Sequence, residues 1–361
     1  MPLEMEPIML NPYPYPYDYI LETSTNCNLF CKCCARRFTD MTYEDMPISV
    51  AKKIVDKLPW ARIFRIGVQG EPLLNPKNYD IMRYMDKMHK TVTITTNGTM
   101  LTDDKIVKDL PCNVKMLYIS VDAGSPETYK EYRGWDFNKW KEGVINVRKL
   151  RPEIGIQINY LLFKWNLNDV RNIIDFCAQW KCALSSTFPV IFTEDIAKEH
   201  DAYWLGNLDK IIEGNLRYAH FMGVRYLCST GVPEWRKCTL PLEQPLIGIQ
   251  GDVYTDFFIY QPRNYDKSKP IIWNEWFRDQ YKEVPQHEYL MGNIIEQEWK
   301  DIWNGKYVAF LENLEKLNNM KINSNDFPKM YKEYPEKYKD RQHCGEWDYC
   351  RICGRRWGYS Y

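Results

Sequence analysis

Short apolar runs of strand length alternate, between Tyr19 and Val190, with segments whose apolar side chains recur every three to four positions. A first strand is expected at 19–23, followed by helical spacing at Val50, Ala51, Ile54, Val55 and Leu58. A second strand at 63–68 leads into a helix marked by Ile81, Met85 and Met88. Further strands follow at 91–95, 116–121, 156–163 and 184–190, with helical patterns at 140–150 and 170–180 between the last three. Strand and helix in alternation imply a parallel sheet joined by right-handed crossovers. Six such units fit an α/β fold of the partial (β/α)6 barrel type better than a complete eight-fold barrel.

Past residue 205 the alternation stops. The remainder reads as a smaller, irregular α+β region with a Gly251–Asp252 turn between strand-like runs and a helical stretch at 299–317. The expected organisation is an extended lead-in at 1–18 carrying Pro12, Pro14 and Pro16, a barrel at 19–205, and a second region at 206–361. No separate leader-peptide-binding domain is expected ahead of the barrel, which weakens a ribosomal-peptide maturase without excluding it.

Composition and chain pattern narrow the picture in four ways. The 48 basic and 48 acidic residues cancel, so no global field points to nucleic acid or an anionic membrane. No uncharged apolar run approaches the roughly 20 residues needed to span a bilayer, so no membrane is expected. The N-terminus lacks a basic start followed by an apolar core. Twelve cysteines without a secretion signal favour a reducing, cytoplasmic setting and metal ligation over disulfides.

The polar and glycine-containing motifs fall just after the strands, at the end of a parallel α/β barrel where ligands bind. The first carries Cys27, Cys31 and Cys34 in C-x3-C-x2-C spacing. Three thiolates this close suit three irons of a [4Fe-4S] cube, leaving the fourth iron open to a chelating molecule. Zinc sites more often show paired C-x2-C units and four ligands, and no His stands near this trio. Cys33 makes a C-x3-C-x-C set formally available as well. The second strand ends in Gln69-Gly70-Glu71-Pro72, the third in Thr96-Asn97-Gly98-Thr99, and the fourth in Ser120-Val121-Asp122-Ala123. Asn97 fits a residue that stabilises its own turn.

These motifs, in this order, resemble the signature of the radical S-adenosylmethionine (radical SAM) superfamily from Tyr19 to Val190. Cys34 then takes the ligand position, and Cys33 stands where the family usually carries an aromatic beside the cofactor. Gln69-Gly70-Glu71-Pro72 resembles the family's Gly-Gly-Glu-Pro, with Gln69 replacing the first glycine, and implies a backbone turned toward the cofactor's methionine group. Thr96, Ser120 and Asp122 occupy positions where the family sets small polar side chains against ribose and carboxylate, Ser120 foremost. Arg133, in Tyr132-Arg133-Gly134, resembles an arginine that pairs with that carboxylate in the sulfatase-maturase branch; the alternative is a solvated surface arginine.

The second region resembles the SPASM or shorter "twitch" extension that holds an auxiliary [4Fe-4S] cluster. Cys238, Cys350 and Cys353 supply three ligands, and the fourth is Asp256 by spacing or Cys344 by the softness of its donor. Four tail and linker thiols also suit zinc. Cys228 reads as a buried thiol, and Cys112, Cys177 and Cys182 as small core residues. His89, His200, His220 and His287 show no partner pattern, while His343 adjoins Cys344.

The resemblance implies an enzyme that reductively cleaves S-adenosylmethionine to a 5′-deoxyadenosyl radical. That radical abstracts hydrogen from an unactivated carbon, for an oxidative or bond-forming modification. A flavodoxin or ferredoxin would be the reducing partner. Peptide maturation and dehydrogenation of a small molecule such as a sugar or aminocyclitol fit comparably, and nucleobase modification less well. An iron–sulfur or zinc protein without radical chemistry is the reading from a different class.

Overall fold

The computed structural model describes residues 15–34, 36, 43–188, 202, 205, 207–228, 239–255, 272–277, 280–285 and 289–319. Strands β1 (Asp18–Leu21), β2 (Ile63–Ile66), β3 (Thr91–Thr96), β4 (Val114–Ser120), β5 (Gly155–Leu161), β6 (Ala183–Thr187) and β7 (Tyr226–Cys228) pair in sequence order, every neighbour parallel. Helices α1 (Ile48–Lys57), α2 (Asn78–Lys87), α3 (Asp104–Lys108), α4 (Pro126–Arg133), α5 (Phe137–Leu150) and α6 (Val170–Trp180) fill the crossovers. The expected α/β fold, a largely parallel sheet with helical crossovers, therefore holds.

Burial explains why the strands were legible. Along β5 and β6 every second residue is buried, and Ile156, Ile158, Tyr160 and Leu184 are nearly inaccessible to solvent. The core they join includes the apolar stripes of the helices, such as Val144 and Val147 of α5 and Ile173, Ile174 and Cys177 of α6. The opposite face is polar and half-buried, with Arg65, Tyr118, Ser120, Asn159 and Thr187. Arg65 donates to both Asp18 oxygens at 2.7–3.0 Å and to the Tyr118 hydroxyl at 3.1 Å, tying β1, β2 and β4 together across that face.

Helix ends carry their own signals. Ser125 caps α4 by accepting from Thr128 N at 3.2 Å, Pro126 occupies the first turn, and Gly134 closes the helix at φ 77°. Asp136 caps α5 through Asn138 N and Lys139 N.

The sheet runs on past the expected barrel. β8 (Leu246–Ile247) pairs parallel with β1, β9 (Asp252–Tyr254) pairs antiparallel with β8, and the outermost strand pairs antiparallel with β9. The antiparallel hairpin β10 (Ile272–Phe277) and β11 (Gln280–Pro285) stands apart, and β12 (Leu290–Asn293) is that outermost strand. Gly251 makes the expected turn at φ 88° between β8 and β9. The helical stretch begins at Trp299–Ile302 and continues as Val308–Asn318. Its Trp299 and Trp303 are buried, and Trp299 meets Tyr19 of β1 edge-on at 5.2 Å. Among the described residues no helix is long and apolar enough to cross a membrane.

Candidate active site

The loop after β1 brings Cys27, Cys31, Cys33 and Cys34 over the C-terminal ends of the strands, all four half-buried. Its start is pinned from both sides. Ser24 Oγ and Asn26 Nδ2 donate to Asp45 Oδ1 at 2.6 and 3.0 Å, and Asn26 O accepts from Glu71 N at 2.6 Å. Its far end rests on α4: Lys32 N donates to Tyr132 O at 2.9 Å, and Lys32 Nζ pairs with Glu131 at 2.8 Å. Lys32 also lies 4.7 Å over the Tyr132 ring, which stacks on Trp165 at 3.4 Å.

The turn after β2 fits against this loop because residue 70 has no side chain. A Cβ there would sit 2.0 Å from Ser24 O and 2.7 Å from Asn26 O. Close backbone approach is thus the physical requirement that the Gly-Glu-Pro motif meets, and the partner it approaches is the cysteine loop itself. Gln69 N donates to Glu22 Oε2 at 2.6 Å, and buried Pro72 opens a short 3-10 turn.

Glu71 and Thr96 brace the strand ends. The buried Glu71 carboxylate accepts from Leu73 N, from Thr96 Oγ1 at 2.8 Å and from Asn97 N at 2.6 Å. The Thr96 hydroxyl also accepts from Gly98 N at 3.1 Å, so both groups are committed within the framework. Asn97 holds its own turn, as the sequence suggests, through Thr99 N at 2.9 Å. It also does something the sequence did not suggest: its Nδ2 lies 3.5 Å from Cys27 Sγ.

Asp122 and Arg133 form a buried ion pair at the end of β4. Asp122 adopts φ 55°, a left-handed backbone that a short polar side chain tolerates. Its Oδ1 accepts from Leu161 N at 2.8 Å, and Asn166 Nδ2 donates to its carbonyl at 2.9 Å. Arg133 closes α4, where the helix dipole favours a cation, and it is not a solvated surface arginine. Among the described residues its buried Nε and the buried Tyr129 hydroxyl have no hydrogen-bond partner. Two unfilled donors beside the cysteines suit an anionic or lone-pair-bearing ligand. Ser120 is half-buried, its carbonyl fixed by Trp140 Nε1 at 3.2 Å.

Burial raises the thiols of Cys31, to about 11, and of Cys33 and Cys34. Asp122 and Cys31 raise Cys33 further, whereas the Arg36 backbone N–H and guanidinium work in the opposite direction on Cys34. Iron reverses such values by binding the thiolate directly. Among the described residues no three Cys, His, Asp or Glu side chains stand as ligands of a single ion would. A cube asks for something else, since each thiolate takes its own iron and the sulfurs stand apart.

Sequence reasoning missed Glu22. It is fully buried at the end of β1, and burial lifts its carboxyl to about 7, as it does that of Glu71. The unfolded chain releases these protons near 4.5 while the folded chain holds them to about 7, so each group lowers stability as pH rises through that window. Glu22→Gln, which keeps an acceptor for Gln69 N, is expected to gain on the native chain by about 2 kcal/mol between pH 5 and pH 7.5. Urea unfolding at the two pH values measures this, and a variant whose relative stability does not change with pH contradicts it.

Cys177, Cys182 and Cys228 are buried as expected, but Cys112 is exposed, because it follows Pro111 in the turn before β4 rather than a core position. His89 and His220 are exposed at helix ends. Cys238, Asp256, Cys344, Cys350 and Cys353 lie outside the described residues, as do His200, His287, His343 and residues 1–14.

Parallel strands ending in a cysteine loop, a close glycine turn and a buried Asp–Arg pair define a protein that would hold a cluster and a small chelating cofactor at one mouth. Residues 21–177 match the model of the radical SAM superfamily, and the chain carries a radical SAM domain. That family implies a [4Fe-4S] cluster and S-adenosylmethionine. The chain is 28% identical over 162 residues to an AdoMet-dependent heme synthase of Methanosarcina barkeri, covering 44% of this chain and 46% of the relative. It is 32% identical over 106 residues to a tungsten-containing aldehyde ferredoxin oxidoreductase cofactor-modifying protein of Pyrococcus furiosus, covering 28% and 30%. The matches thus span half or less of those relatives' lengths. Streptococcus suis SuiB bound to S-adenosylmethionine shares the fold at a TM-score of 0.60 and 15% identity, over 86% of this chain and 67% of SuiB.

Proposed function

We propose that Cys27, Cys31 and Cys34 hold a [4Fe-4S] cluster whose open iron takes S-adenosylmethionine, and that the chain uses it for an oxidative or bond-forming modification. The observation that carries this reading is the cysteine loop seated over the strand ends beside the unfilled Arg133 and Tyr129 donors. When bound, the cluster would supply the one electron that breaks the cofactor's sulfonium C–S bond, giving methionine and a 5′-deoxyadenosyl radical, with a flavodoxin or ferredoxin as reductant. Arg133, held in orientation by Asp122, meets the cofactor's carboxylate. The Gly70 turn brings backbone groups to its amino end, and Ser120 and Cys33 line its other side.

We place the substrate on that polar face, so it presents hydrogen-bonding groups to Tyr118, Asn159 and Thr187. A peptide is favoured over a small molecule by the fold shared with SuiB, which has been seen with its precursor peptide SuiA at 15% identity. Residues 206–361 supply an auxiliary cluster through Cys238, Cys350, Cys353 and either Asp256 or Cys344. We infer a reducing, cytoplasmic setting, which twelve cysteines without a secretion signal support.

Iron and sulfide analysis after anaerobic reconstitution tests the cluster count. Two clusters give about eight irons per chain, and zinc in the tail leaves about four. Asp256→Ala separates the two candidates for the fourth ligand: a diminished auxiliary-cluster spectrum makes it Asp256, and a retained one rules Asp256 out and favours Cys344.

A further inference from the structure

We propose that Asn97 sets the reduction potential of the cluster by donating a hydrogen bond to the Cys27 sulfur. This rests on the reading of Cys27 as a cluster ligand. The identity of the donor is fixed by chemistry. Thr99 N is a backbone donor and nothing else, so the Asn97 atom 2.9 Å from it must be the oxygen. The same oxygen accepts from Thr99 Oγ1 at 2.7 Å. The amide nitrogen is thereby left on the other side, 3.5 Å from Cys27 Sγ and 3.0 Å from Asn28 Oδ1.

Nothing about this side chain is loose. Asn97 is buried, its backbone N donates to the Glu71 carboxylate at 2.6 Å, and Thr96, one residue before, donates to the same carboxylate. Asn28 in turn donates from its Nδ2 to Thr99 Oγ1 at 2.9 Å, so the cysteine loop and the β3 turn interlock around one amide. An amide positioned this firmly stabilises whichever state of the cluster carries more negative charge on sulfur. That is the reduced state, so the bond raises the potential. Asn97 is in this sense a positioning residue: it acts through Cys27 and need not touch substrate or S-adenosylmethionine.

Asn97→Asp tests this with the least disturbance. The carboxylate keeps an oxygen for Thr99 and replaces the donor facing sulfur with a second oxygen. EPR-monitored redox titration of the reconstituted full chain, without S-adenosylmethionine, is expected to give a lower midpoint. If the bond favours the reduced cluster about tenfold, its loss alone shifts the one-electron midpoint by about 59 mV, and the added charge increases the shift. Asn97→Ser serves where the aspartate variant fails to load iron, since its hydroxyl can still hold the turn but falls short of Cys27. ENDOR of the reduced native cluster in H2O and D2O gives a second readout, an exchangeable proton coupling lost in Asn97→Ser. A fully loaded variant with an unchanged midpoint and an unchanged coupling overturns the proposal. Full cluster loading in Cys27→Ala instead overturns the ligand reading beneath it.

Discussion

Cys34→Ala is expected to strip the chain of the iron that meets S-adenosylmethionine, while Cys33→Ala retains that iron. The two thiols are adjacent, and the three-then-two spacing shared with the family is one reason to choose Cys34. The charge around them leans the same way. Burial opposes a thiolate at both; Asp122, Cys31 and Cys34 add to that at Cys33 against Arg133, whereas at Cys34 Arg36 and Arg133 work against Cys27. Cys34 N also donates to Cys31 O at 3.1 Å, a tight turn that fixes the relation between two of the proposed ligands. Loss of one of three ligands is expected to leave the site with near-zero iron. Iron and sulfide counts on both variants decide it, using the tail-cluster iron as an internal reference. The reverse pattern would make Cys33 the ligand.

Gly70→Ala is expected to have the next largest effect, out of proportion to one methyl group. The added Cβ meets Ser24 O at 2.0 Å and Asn26 O at 2.7 Å, and both are backbone atoms that cannot rotate away. Either the turn after β2 retreats, breaking the Glu71 N to Asn26 O bond, or the cysteine loop is displaced. Overpacking of this kind lowers stability by about 3 kcal/mol, and the displaced loop no longer presents its thiols as a set. The variant is expected to melt lower and to retain little of the iron near Cys27. Native melting with full iron would show that the close approach is not needed.

Much of the framework was legible because the strands that matter are long and one-sided. β5 buries every second residue over seven positions and β4 does so from Leu117 to Ser120, so period and polarity agree there, while β3 is read from its β-branched run Thr91–Thr96. β7, β8 and β9 are two or three residues long and carry no period to read. That is why the continuation of the sheet past residue 205 did not show in the pattern. At the site, the cysteine spacing and the Gly-Glu-Pro turn were legible, and the burial of Arg133 against Asp122 was not. Glu22 and Asn97 were illegible for a related reason. Their roles come from partners 47 and 70 positions away in sequence, and a lone Glu or Asn in a strand end has no local signature. Glu71 was noticed for its motif, but its work as a brace between β2 and β3 appears only once Thr96 and Asn97 are seen beside it.

Every role assigned to the cysteine loop and the strand ends depends on their cleaving S-adenosylmethionine reductively. The full chain, reconstituted anaerobically with iron and sulfide, should be incubated with S-adenosylmethionine and dithionite and assayed for 5′-deoxyadenosine. The native chain is expected to form it and Cys27→Ala to form none; no 5′-deoxyadenosine from a native chain shown to hold its clusters would contradict reductive cleavage.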